Sequence, residues 1–137
     1  MAHQPIEKLD VFILFEEVAD WVWDSVITWR ATPAFTIGRQ LIDSVDSINA
    51  NLVEGDGRYG TAESIHFFVI ARGSARESRL WIQRAVKRKL VPASEGEQAI
   101  AKLERATVLL NKLINYRRGN IIREESGQYS PLRSATP

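Results

Sequence analysis

The sequence predicts an all-α protein, an antiparallel up-and-down bundle of four helices. Three observations support this class. Apolar residues recur at helical spacing in four segments, short connections rich in glycine or proline separate the segments, and no alternating strand pattern competes. The chain has 137 residues, of which 45% are hydrophobic and 26% charged. These values are typical of one soluble globular domain.

Two apolar stripes predict the first two helices. The stripe of the first helix is Val11, Phe15, Val18, Val22, Val26 and Trp29. The stripe of the second helix is Ile37, Leu41, Val45, Ile48 and Leu52. Pro33 disfavours a helical conformation at Thr32, so we expect a break there. Gly55 and Gly57 are expected to end the second helix with positive φ angles.

The third helix is predicted from Thr61 to about Leu90, and the fourth from Ser94 to Gly119. The expected core face of the third helix is Phe67, Ile70, Ala71, Ser74, Ser78, Trp81, Ile82 and Ala85. That of the fourth helix is Ile100, Leu103, Ala106, Thr107, Leu110 and Ile114. Residues 1–119 are therefore expected to form the bundle, and residues 120–137 a flexible C-terminal tail.

Several apolar residues lie off these stripes. They are Ile13, Trp23, Ile27, Ile65, Val69, Leu80 and Leu109. Single exposed apolar residues are common, but this many, including a tryptophan, predict a second buried surface. The simplest such surface is a contact between copies of the chain, so we expect a homo-oligomer.

The residues that the chain lacks exclude several classes of protein. There is no cysteine, which excludes disulfides, thiolate metal sites and a cysteine nucleophile. The first ten residues do not resemble a signal peptide. No apolar run approaches the roughly 18 residues of a membrane span. We therefore expect a cytoplasmic protein that makes no membrane contact.

No set of residues predicts catalysis, a cofactor or a metal. His66 has no nucleophile placed to face it, since Ser64 is too close in sequence. The acids of the first helix, Glu16, Glu17, Asp20 and Asp24, lack the Glu-x-x-His pattern of di-iron bundles. We therefore expect a protein that is not an enzyme.

Charge is unevenly distributed, although the net charge is only +1. Residues 1–30 contain six acids against two bases, whereas residues 72–89 contain seven bases against one acid. The seven bases are Arg72, Arg76, Arg79, Arg84, Lys87, Arg88 and Lys89. We expect them to face away from the core and to bind RNA or DNA phosphates without sequence preference. Two alternatives are a solvated face that pairs with a neighbouring subunit's acidic first helix, and a surface for another protein.

The stretch "EGDGRYG", Glu54 to Gly60, is rich in glycine but is a weak candidate for a phosphate-binding loop. A P-loop follows a strand and carries lysine and Ser/Thr after its glycines, whereas Arg58 and Tyr59 stand here after a predicted helix. A helix–helix turn explains the glycines more simply.

Three stretches resemble a known family. "SINANLVEG" (residues 47–55), Gly57-Arg58 and "IARGSARE" (residues 70–77) resemble the four-helix-bundle proteins first noticed as reading frames in intervening sequences of bacterial 23S rRNA genes. "RLWIQRAVKRKL" (residues 79–90) is similar to a subset with a tryptophan and a basic end to the third helix. Two positions depart from the pattern. Asn49 stands where the family has proline, and Arg79 where an acid is common.

The resemblance implies a four-helix bundle that assembles into a homopentameric ring. It also implies distant kinship with the accessory variability determinant protein of diversity-generating retroelements, which binds nucleic acid and a reverse transcriptase. The family's motif residues fall on Asn51, Glu54, Gly55, Gly57, Arg58, Gly73, Ser74 and Glu77. We expect these residues to form a structural clasp between the second and third helices. Its Glu54 and Arg58 are expected to be partly buried, so that each alanine substitution costs about 1–3 kcal/mol.

Overall fold

The computed structural model describes the backbone of residues 4–125 and the side chains of residues 4–122, and this part of the chain is helical. A 3-10 turn, Ile6–Lys8, precedes α1, Asp10–Val26. Helix α2 has three consecutive parts, an α-helical turn, a π-helical segment and a long α-helix: Ala31–Pro33, Ala34–Gly38 and Arg39–Asp56. The last two helices are α3, Thr61–Lys87, and α4, Ala93–Glu125.

The four helices surround one core. Each consecutive pair packs together, and α4 also packs against α1, which closes the bundle. Short connections between neighbours and this closed order of contacts are those of an up-and-down bundle. The predicted all-α class and four helices are confirmed. Within residues 4–125, every helix is too short or too polar to cross a lipid bilayer.

The stripes of α1 and α2 are confirmed as core. All predicted members are buried except Trp29, which lies beyond the end of α1 and is half-buried against the core. Ile6, ahead of α1, is also buried. The two helices therefore follow the rule that one apolar face of an amphipathic helix is turned to the core.

The predicted causes of the two helix ends are wrong. Pro33 does not exclude a helix at Thr32, because it lies in the first turn of α2, where a backbone N–H would have no partner in any case. Neither Gly57, with φ −79°, nor Gly60, also with φ −79°, has a positive φ angle. Gly55 is buried inside α2, and glycine is needed there because a side chain would have no room. A Cβ there would lie 2.8 Å from Cε1 of Phe68 and 3.0 Å from the Ser64 carbonyl oxygen.

The core face of α3 is the predicted one only in part: Ala71, Ser78, Ile82 and Ala85 are buried as predicted, and the other four predicted members are not. Ile70 is 39% exposed, and Phe67, Ser74 and Trp81 are half-buried. The buried face is Ser64, Ile65, Phe68, Ala71, Ala75, Ser78, Ile82 and Ala85. Five of these residues are serine or alanine, which add little to a periodic hydrophobic pattern in the sequence. Their small side chains let α3 pack closely on its neighbours. The larger apolar residues beside them therefore gave a misleading stripe.

Helix α4 buries Leu103, Ala106, Leu110 and Ile114 as predicted, with Ile100 and Thr107 half-buried. Its predicted end is wrong, because the helix continues through Gly119 to Glu125. A glycine inside a helix costs stability but does not require the helix to stop. The part of the predicted tail from residue 126 onward lies outside the described residues.

The apolar residues off the predicted stripes fall into two groups. Ile65 is buried in the chain's own core, and Val69 and Leu109 pack against it. The others are exposed in the single chain: Ile13 (43%), Trp23 (56%), Ile27 (60%) and Leu80 (41%). At 100° per residue, the three exposed residues on or just after α1 lie within about 80° of one another. One flank of α1 is thus both apolar and uncovered.

Candidate nucleic-acid interface

A row of polar contacts joins α2 to α3. The Oγ atoms of Ser47 and Ser74 lie 2.9 Å apart, and those of Ser44 and Ser78 lie 3.0 Å apart. The Asn51 amide donates to the Ser47 carbonyl oxygen (2.8 Å) and to the Ser47 hydroxyl (3.0 Å). Asn51 and Ser74 therefore meet through Ser47, which sequence reasoning left out. Hydroxyl pairs of this kind satisfy polar groups where two helices approach closely.

Glu54 and Arg58 form an ion pair, but on the surface. Their side chains are 52% and 38% exposed, so each is about half-buried and water reaches both. Arg58 also lies 3.6 Å from Glu63 and stacks over the Phe67 ring at 4.8 Å. Surface pairs of this kind contribute about 0–1 kcal/mol. Gly57 is exposed beside the pair.

Gly73 and Glu77 lie outside these contacts between α2 and α3. Glu77 is exposed and accepts a hydrogen bond from the Trp81 indole on its own helix, at 3.3 Å. Gly73 is exposed too, and a Cβ added there would have no neighbour within 4 Å. The structure thus brings together only part of the motif that the family resemblance singled out.

Two polar residues of α2 missed by sequence reasoning hold other parts of the bundle. Asp56 accepts a hydrogen bond from the Ile6 amide at 3.2 Å and lies 3.9 Å from the Arg117 guanidinium on α4. Asn49 donates to the Phe12 carbonyl oxygen and to the Glu16 carboxylate, both at 3.1 Å. Helical periodicity gives no signal for either role, because the partners are distant in sequence. Asn49 thus links α2 to α1.

The first three of the seven predicted bases line a groove between α3 and α4. Arg72 is half-buried and donates to Asn111 Oδ1 at 2.9 Å. Arg79 lies 3.5 Å from Glu104, with both side chains about half exposed. Arg76 is exposed, and within residues 4–122 it forms no ion pair. The groove has a volume of about 570 Å³, and its apolar lining is Val69, Ala75 and Leu103.

The other four bases lie toward the end of α3. The Arg84 guanidinium stacks over the Trp81 ring at 5.0 Å. Lys87, Arg88 and Lys89 are exposed. Lys89 has a φ of 60°, the left-handed conformation that reverses the chain after a helix. The seven bases therefore form two groups on one helix, a groove group and an end group.

The α1–α2 side of the bundle is acidic. Asp46 is an exposed residue, but partial burial of its carboxyl raises its pKa, and the nearby carboxylates of Glu16, Asp43 and Asp20 raise it further. In the part of the chain that the structure describes, these acids do not form a group that could hold a metal ion. Glu17 is paired with Lys102 of α4 at 3.1 Å. The bundle thus has an acidic side and, across the core, a basic side.

Comparison with known proteins agrees with this fold. The sequence profile of the family described as 23S rRNA-intervening sequence protein matches residues 7–112. A crystal structure from Bacteroides thetaiotaomicron VPI-5482, of a protein with unknown function from the S23 ribosomal protein family, is similar. It has a TM-score of 0.66 and 19% identity, and the match covers 77% of this chain and 94% of that one. No curated protein sequence matches significantly. The chain therefore belongs to the family of 23S rRNA-intervening sequence proteins.

Proposed function

We propose that this protein is a non-enzymatic, self-assembling bundle that binds RNA or DNA through α3 without reading the base sequence. The observation that carries the proposal is the one-sided charge: seven bases lie on or just after α3, while the acids of α1 and α2 cluster on the other side. A net charge of +1 would not attract a polyanion, but a basic face of this kind does.

The geometry of the bases favours contacts to phosphates. Arginine presents several N–H donors in a fixed planar arrangement that suits phosphate oxygens. Arg76, Lys87 and Arg88 are exposed and form no ion pair within residues 4–122. They line the flank and end of a helix, with no arrangement that would insert side chains into a DNA groove. Backbone contacts of this type give affinity and a strong dependence on salt, but little sequence preference.

Assembly into a ring is the second part of the proposal. The uncovered flank of α1 carries Ile13, Trp23 and Ile27, and exposed aromatic and aliphatic residues of this kind are characteristic of subunit interfaces. The family resemblance suggests a homopentamer. A ring repeats the basic helix around an axis, so that several weak contacts to one polyanion add as avidity.

A protein–protein adaptor, such as an accessory subunit of a reverse transcriptase, is the second candidate function. Its support is the same uncovered flank together with Phe35, which is 77% exposed in the π-helical segment of α2. If a partner protein covers these residues, substitutions there abolish its binding without changing nucleic-acid binding.

Gel shifts with nuclease-treated, assembled protein test the proposal. At low salt, we expect shifts with structured RNA, duplex DNA and single strands of unrelated sequence. Replacing Arg76, Arg79, Lys87 and Arg88 by glutamine should weaken every shift to a similar degree and leave the helical content unchanged. If no probe is shifted, the proposal of nucleic-acid binding is wrong and the adaptor function is favoured.

A further inference from the structure

Gly73 has no explanation within the chain. It lies inside α3, where glycine is less favourable than alanine because it loses more backbone entropy on folding. It is exposed, and a Cβ would meet nothing within 4 Å, so no neighbouring helix requires its small size. At Gly55, by contrast, a Cβ would clash with the ring of Phe68, so only glycine fits there. A glycine that the chain itself does not need indicates that something outside the chain approaches the backbone closely there.

Two depressions meet at Gly73. One is the groove between α3 and α4, and the other lies next to it on the surface of α3, beside Glu77, Leu80 and Gln83. Gly73, Arg76 and Arg79 line both. A ligand lying in the groove can therefore cross α3 over Gly73 and meet the guanidinium groups of Arg76 and Arg79 on the next turns of the same helix.

The chemistry of the groove fits an unpaired nucleotide. Arg72 is held by Asn111 through one nitrogen, which leaves other N–H groups able to donate. Guanidinium groups bind phosphate and also stack on the faces of unpaired bases, and Val69, Ala75 and Leu103 form the apolar floor of the groove beside them. In a duplex the bases are stacked and paired, so only the backbone would reach the groove.

We propose that a single unpaired strand of nucleic acid crosses α3 at Gly73, with its phosphates on Arg76 and Arg79 and one base in the groove between α3 and α4. This inference rests on the proposed function and adds to it a strand preference and a location. It also gives a role to Glu104, which is the one carboxylate among the described residues that line the groove and is paired with Arg79. A phosphate must displace that carboxylate, so Glu104 limits affinity.

The test measures the fluorescence anisotropy of a labelled oligo(dT) strand and of a labelled duplex of equal length, titrated with full-length assembled protein. Wild type should bind the strand more tightly than the duplex. Gly73→Leu should raise the Kd for the strand by about tenfold, as expected when one of several contacts is blocked. Its matched control is Gly119→Leu, because Gly119 lies inside α4 and also has open space around it.

Glu104→Gln provides a second test that adds no bulk. It should lower the Kd for the strand by about two- to fivefold, the range expected from removing a competing surface pair. Glu7→Gln makes the same change in net charge at an exposed position ahead of α1, outside the groove, and should have little effect. If Gly73→Leu does not fold, the comparison of Glu104→Gln with Glu7→Gln decides the question alone.

The outcomes separate this inference from the proposed function. The groove site would be overturned if the wild type binds strand and duplex equally and if neither Gly73→Leu nor Glu104→Gln changes either Kd. That result would leave non-specific binding intact. No binding of either probe would remove both proposals. If light scattering shows that Gly73→Leu changes the subunit number while the Kd for the strand is unaltered, a second copy of the chain covers Gly73 and the inference is wrong.

Discussion

The hydroxyl of Ser64 donates a 2.7 Å hydrogen bond to the carbonyl oxygen of Gly55, and this buried contact fixes the point where α2 meets α3. The ring of Phe68 packs against the same glycine. Backbone and side chains thus approach within contact distance at the hairpin, and the outer polar residues of the turn, Glu54 and Arg58, lie on the surface of this junction.

Two glycine substitutions should have effects of opposite sign. Gly55→Ala places a Cβ within 3.0 Å of Phe68 and the Ser64 carbonyl oxygen, and we expect overpacking to cost about 1–3 kcal/mol. Gly73→Ala meets nothing and should stabilise the protein by up to about 1 kcal/mol through its helix propensity. Urea unfolding followed by circular dichroism measures both. Equal effects would contradict the close packing of Phe68 on Gly55.

Removing the surface ion pair should have little effect. Arg58→Ala and Glu54→Ala each expose groups that water already reaches, so we expect each to lower the free energy of unfolding by no more than about 1 kcal/mol. The double variant should lose less than the sum of the two, because each single change already breaks the pair. A loss of several kcal/mol in the same urea experiment would show that the pair is buried in the assembled protein.

Asp46→Asn should stabilise the protein at neutral pH. The pKa of Asp46 is raised by burial and by Glu16, Asp43 and Asp20, so the folded state holds its proton more tightly than the unfolded state. The carboxylate therefore destabilises the fold above its folded pKa. This penalty fades as the pH falls toward the ordinary value of 3.8.

We accordingly expect Asp46→Asn to raise the melting temperature at pH 7, and the gain to disappear near pH 4. Glu7→Gln, at an exposed position ahead of α1, is the control. A loss of stability at pH 7 in Asp46→Asn would contradict this penalty and would mean that a cation from a neighbouring copy pairs with the acidic side.

Trp23→Glu tests the assembly. Trp23 is 56% exposed on the uncovered flank of α1, so a charge there should not disturb the single bundle but should disrupt an interface formed by that flank. Light scattering should show the wild type as an oligomer and the variant as smaller species with unchanged helical content. Glu7→Gln, at an exposed position ahead of α1, serves as a control. If the wild type is a monomer at micromolar concentration, the proposal of a ring is wrong.

The sequence was sufficient for the fold where large apolar residues repeat on one face. In α1 and α2 the stripes from Val11 to Val26 and from Ile37 to Leu52 correspond to the buried residues. In α3 the same method selected Ile70 and missed Ala75, because Ala75 is small and its burial depends on how closely another helix approaches. Sequence periodicity reports the hydrophobicity of each residue, but it carries no information on the distance between two packed helices.

The candidate site was less predictable for the same kind of reason. Clustering of bases along α3 could be seen in the sequence, but their division into a groove group and an end group could not. Arg72 lies in the groove because it reaches Asn111, which is 39 residues away. Contacts at such separation depend on the register of α3 against α4, and no local pattern specifies that register.

The salt dependence of nucleic-acid binding tests the central claim most directly. We would measure the Kd of assembled wild type and of the variant with Arg76, Arg79, Lys87 and Arg88 changed to glutamine, for one labelled strand over a range of potassium chloride concentrations. If these bases bind phosphates, log K of the wild type falls linearly with log salt, and the slope of the variant is flatter by about 0.7 for each phosphate that it no longer neutralises. Identical slopes for the two proteins, or a wild type whose binding ignores salt, would contradict the claim that α3 binds nucleic acid through its phosphates.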